Sequence, residues 1–69
     1  MAITDNDIKQ IKEILRDEYS QAEVDDMISN ATITKDDNGV LVTYDNGVKD
    51  LFAYKQVLYH VRADISKAR

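Results

Sequence analysis

His60 is the one histidine of this chain and there is no cysteine, so the options for a general base or a thiolate nucleophile are few. No Gly-x-Ser-x-Gly, Walker or Rossmann glycine pattern accompanies it. A lone imidazole between Tyr59 and Val61, beside an apolar stripe, reads as a partly exposed packing residue rather than a base. Thirteen carboxylates are available, but 69 residues leave little room for an enclosing pocket of about 300–1,000 Å³. No enzyme activity, catalytic residue or cofactor is expected.

A metal loop is nearly spelled out and then fails. With Gly39 at the sixth position of an EF-hand loop, Thr34 falls first, Asp36 third, Asn38 fifth and Asp45 twelfth. That loop needs Asp first, normally Glu last, and a helix after it, whereas Val40–Tyr44 has strand character. Asp36, Asp37 and Asn38 are turn formers without any metal.

Charge offers more. Asp17, Glu18, Glu23, Asp25 and Asp26 crowd into ten residues, and no base interrupts Asp17 through Ile33. Carboxylates spaced in this way can present charge as a nucleic-acid backbone does and compete for a basic groove. The plain alternative is that Glu23 completes a cap and Asp25 and Asp26 sit near a helix N-terminus, where negative charge is favoured. Tyr19 lies among these acids, and tyrosine is enriched at interface hot spots. A second constellation, Lys55, Tyr59, Arg62 and Arg69, recurs at helical spacing and could grip phosphates and stack a base. A net charge of −4 argues against direct nucleic-acid binding. Of the other tyrosines, Tyr44 and Tyr54 are expected in or beside the core, Tyr59 outside it.

The charge is also uneven along the chain. Residues 1–30 hold eight acids against three bases, residues 31–50 four against two, and residues 51–69 one against four.

The elements that must position these residues follow from caps, periods and turns. Thr4 and Asp7 resemble a capping box, and Ile8, Ile11, Ile14 and Leu15 recur at helical spacing, which predicts a helix from Asp5 to about Glu18. Ser20-Gln21-Ala22-Glu23 is a full capping box, so a second helix is expected to start there and to end near Asn30. One long helix from Asp5 to Ser29 is the competing arrangement, and the internal box favours a break.

Ala31–Lys35 is β-branched and reads as a first strand. Val40–Tyr44 alternates, with Val40, Val42 and Tyr44 on one face, and Val48–Phe52 gives a weaker third strand unless helix begins at Asp50. Between them Asp37-Asn38-Gly39-Val40 recurs as Asp45-Asn46-Gly47-Val48, and Asn-Gly readily supplies the positive φ of tight hairpin turns. From Ala53 the period changes: Tyr54, Val57, Leu58, Val61 and Ile65 form a helical stripe.

The expected fold is thus a single small α+β domain over residues 1–69: two N-terminal helices, a three-stranded antiparallel β-meander and a C-terminal helix. Without cysteine to staple it, and with a chain this short burying only about 60% of its unfolded surface, stability must come from packing, caps or self-association. No apolar run approaches the ~20 residues of a membrane span, and Met1–Asp5 lacks the features of a signal peptide. The expected compartment is the cytoplasm, so the Asn30-Ala31-Thr32 sequon is read as chance.

The pattern implies a non-enzymatic module that binds a protein with a basic surface through Asp17, Glu18, Tyr19, Glu23, Asp25 and Asp26. An inhibitor of the phage or mobile-element kind, such as an anti-defence or anti-CRISPR protein, would have this size and charge. The alternatives are a nucleic-acid-binding accessory protein using Lys55, Tyr59, Arg62 and Arg69, and a self-assembling subunit such as a homodimer.

Overall fold

Thr4 is extended, and its hydroxyl accepts the Asp7 N–H at 3.1 Å while Asp7 Oδ2 accepts the Thr4 N–H at 3.1 Å. That reciprocal box starts α1, Asp5–Leu15, and its stripe buries Ile11 and Leu15 completely. The computed structural model describes residues 2–54 and 60–65.

Helix α1 ends three residues before the expected Glu18. The N–H groups of Asp17 and Glu18 tighten onto the carbonyls of Ile14 and Leu15, and Tyr19 N–H also reaches Leu15. Ser20 is extended, its N–H donates to Glu23 Oε1 at 3.2 Å, and its hydroxyl accepts the Glu23 N–H at 3.2 Å. One continuous helix is therefore ruled out by the second box, which opens α2, Gln21–Ser29. Val24 and Ile28 are its buried residues, and the Asn30 side chain closes it by donating to the Asp26 carbonyl at 3.0 Å.

Strands β1 (Thr32–Lys35), β2 (Gly39–Thr43) and β3 (Lys49–Ala53) form the expected antiparallel meander. Val40 and Val42 are fully buried and Tyr44 nearly so, and they share the core with Phe52, Ile11, Leu15, Val24 and Ile28. Both helices thus cover one face of the sheet.

The turns are less uniform than the repeated tetrapeptide suggests. Among the described residues only Gly39 and Gly47 have positive φ, so neither asparagine adopts the left-handed conformation that a two-residue hairpin of type I′ would require. Instead Asp36 Oδ1 accepts the N–H groups of Asn38 (2.8 Å) and Gly39 (3.2 Å). In the second turn Gly47 N–H closes onto the Tyr44 carbonyl, and Asn46 Oδ1 accepts the Val48 N–H at 3.0 Å. Side-chain acceptors hold both loops.

The C-terminal segment departs from expectation. Ala53 closes β3, and the described residues from His60 to Ile65 are not helical: the chain bends at Arg62 and forms β4 at Ala63–Asp64. It pairs parallel to β3, Phe52 opposite Ala63, making a mixed four-stranded sheet of order β1-β2-β3-β4. Among the described residues of the expected C-terminal helix none is helical, Val57 and Leu58 lying outside the described residues, and the three-stranded antiparallel sheet has a fourth, parallel member.

Two physical reasons account for this. Val61, Ala63 and Ile65 also alternate with His60, Arg62 and Asp64, a period-two pattern hidden inside the helical one, and no good N-cap residue stands at Ala53 or Tyr54. Pairing then satisfies the open edge of β3: Arg62 N–H donates to the Leu51 carbonyl at 2.8 Å and Ile65 N–H to that of Ala53 at 2.6 Å. Ile65 joins the core at 4% exposure, a burial that contributes about 1.5–3 kcal/mol.

A buried ionic lock ties helix to sheet. Asp7 is fully buried, and Lys35 Nζ lies 2.8 Å from its Oδ2. The Tyr54 hydroxyl lies 3.4 Å from Asp7 Oδ1, and Lys35 Nζ sits 5.6 Å from the Tyr54 ring centroid. Burial alone would raise the Asp7 carboxyl, but Lys35 and Thr4 outweigh it and hold the group below its usual range. The same pairing raises the Lys35 ammonium.

Candidate functional site

The corner between α1 and α2 faces the turn between β2 and β3 across a cleft of about 410 Å³. Tyr19, Asp26 and Met27 line it from the helical side, and Tyr44, Asp45 and Val48 from the sheet side. Asp50 and Arg62 also border it.

Local sequence explains each position. Tyr19 falls in the break that the Ser20 box imposes, so its ring is left at the surface instead of extending the α1 stripe. Asp26 and Met27 ride on α2 beside the buried Ile28. Val48 follows Gly47, whose φ of 88° turns the chain, and remains 53% exposed.

A polar network braces the cleft. Arg62 Nη2 approaches Glu18 Oε2 at 2.6 Å, its Nη1 lies 3.8 Å from Asp50 Oδ2, and the Tyr44 hydroxyl donates to that same Asp50 oxygen at 2.7 Å. These contacts join the end of α1 to β2, to β3 and to the residue before β4. Glu18 holds the Arg62 guanidinium more firmly protonated, against the opposing effect of burial. Burial, and then the Asp50 carboxylate accepting its proton, push the Tyr44 phenol well above its ordinary range. Because Glu18 is more than half exposed, its ion pair shapes the wall more than it stabilises the fold.

The sequence-predicted acids divide among several tasks. Tyr19 and Asp26 meet in the cleft, and Glu18 braces its Arg62 wall. Glu23 completes the α2 cap, while Asp25 pairs with Lys12 at 3.2 Å. Asp17 is exposed at the end of the first helix's turn. All of these acids remain on the surface.

Of the basic constellation only Arg62 lies among the described residues, and it is turned inward between Glu18 and Asp50. Lys55, Tyr59 and Arg69 lie outside the described residues. His60 is exposed just before β4, and among the described residues no three His, Asp or Glu side chains converge as a metal ion would need.

Sequence reasoning missed Met27, Asp45, Val48 and Asp50 as partners of Tyr19. Asp45 and Val48 belong to a tetrapeptide identical to one that serves the core, so no local signal marks them. Tyr44 was legible as a core residue, but its hydroxyl's reach to Asp50 was not.

Comparison with known protein families, with curated proteins and with solved structures finds no match for this chain.

Proposed function

We propose that this chain is a small protein-binding module whose acidic helical corner and adjoining cleft dock onto a basic surface of another protein. One observation carries the reading. Tyr19 and Val48, the large apolar side chains left exposed among the described residues, both line the cleft that also holds Asp26 and Asp45. Apolar side chains gathered at one place and rimmed by charge mark interaction sites, and a tyrosine there is a favoured anchor. The surrounding carboxylates would steer a basic partner and make association sensitive to salt.

In the form that size and charge favour, the protein is an inhibitor of the phage or mobile-element kind, an anti-defence or anti-CRISPR protein. It would block a target by occupying its nucleic-acid-binding surface. Direct nucleic-acid binding is the weaker reading, because Arg62 is engaged by two carboxylates.

Capture on immobilised protein tests the proposal. Proteins that bind nucleic acid should be retained at low salt, released by duplex DNA, and lost with the combined D17N, E18Q, D25N and D26N variant. Retention unchanged in that folded variant would refute the acidic surface as the docking element.

Self-assembly is supported by a different observation, the position of β1 at one edge of the sheet, where Thr32–Lys35 has one ladder unpaired among the described residues. A mass in solution that stays monomeric over a wide concentration range would remove that reading.

A further inference from the structure

We infer that the cleft is a socket for one arginine side chain of the partner, an inference that rests on the docking role proposed above and narrows it. Its volume of about 410 Å³ suits a long side chain with its flanking backbone and lies at the small end of ligand sites, about 300–1,000 Å³. Three carboxylates, Asp26, Asp45 and Asp50, border it against a single guanidinium, Arg62. Arg62 is already engaged by Glu18 and Asp50, so it does not neutralise the other two acids. Among the described residues neither Asp26 nor Asp45 has a cationic partner, and they approach from different walls, one on α2 and one on the turn after β2.

The apolar lining decides which cation fits. Tyr19, Met27 and Val48 would cover the aliphatic stem of a long basic side chain and leave its head among the carboxylates. A guanidinium is planar and weakly hydrated, can stack on a tyrosine face, and can bond two carboxylates in different directions at once. An ammonium is a compact, strongly hydrated charge and gains less from the same walls. An anion would meet a surplus of negative charge, and both terminal nitrogens of the one guanidinium already face carboxylates.

Titration of the ¹⁵N-labelled chain with an oligoarginine and an oligolysine peptide of equal length, at low salt, tests this. The arginine peptide should shift the amides of Tyr19, Asp26, Asp45 and Val48 in a saturable manner and bind about threefold or more tighter than the lysine peptide. Asp45→Asn should weaken the arginine peptide to a similar degree and leave the rest of the spectrum in place.

Equal affinities for the two peptides would overturn the arginine assignment. Shifts confined to Asp17–Asp25, with Asp45 and Val48 silent, would overturn the socket and leave the acidic docking surface standing. No shift with either peptide would overturn both.

Discussion

Asp37-Asn38-Gly39-Val40 and Asp45-Asn46-Gly47-Val48 are the same four residues, yet one belongs to the core and the other to the candidate site. In the first, Gly39 pairs with Ala53 inside the sheet and Val40 is fully buried beneath the helices. In the second, Gly47 stands in open space and Val48 is exposed at the rim of the cleft. Local chemistry gives both segments a chain reversal. What lies opposite decides whether the valine packs in the core or waits for a partner.

The largest effect should come from the glycine of the first copy. A Cβ on Gly39 would lie within 2.3 Å of the Phe52 carbonyl oxygen and 2.7 Å of Ala53 Cα, on a backbone with φ of 154°. Gly39→Ala should therefore cost at least about 3 kcal/mol in chemical denaturation, through the clash and the strained φ together. Neither β2 nor β3 can retreat without breaking the central ladder. The same substitution at Gly47 meets nothing within 4 Å and suffers only from its φ of 88°, so Gly47→Ala should cost about 1 kcal/mol. Equal losses at the two glycines would erase the contrast.

Acid should sharpen it further, because the first turn grows from Lys35, which is locked to Asp7. The folded Asp7 carboxyl titrates below its unfolded value of about 3.8, so its stabilisation is present above that pH. It is lost as pH falls through the lower, folded value. Between about pH 6 and about pH 2.5 the wild type should lose more resistance to urea than Asp7→Asn does. Identical losses would show that the lock contributes nothing to acid stability.

Both capping boxes were legible, and the second correctly placed the break that leaves Tyr19 exposed. The three antiparallel strands were legible from β-branched residues, from alternation and from the Asn-Gly pair, most clearly in β2, where Val40 and Val42 share one buried face. The last segment was not. Tyr54, Val57, Leu58, Val61 and Ile65 fit a helix while Val61, Ala63 and Ile65 fit a strand. The carbonyls of Leu51 and Ala53, distant in sequence, decided between the periods. The site was half legible for the same reason. Tyr19 and Asp26 stood out within their own acidic segment, whereas Asp45, Val48 and Asp50 join them only through the packing of helices on sheet.

Val48→Lys, followed by thermal unfolding and by capture of basic partners, probes the division between the two copies most directly. Its stability should stay within about 0.5 kcal/mol of wild type, because an exposed valine contributes little packing, while capture should fall sharply as a cation enters the acidic cleft. A large drop in melting temperature, or capture undiminished in the folded variant, would contradict the assignment of the second copy to the binding surface.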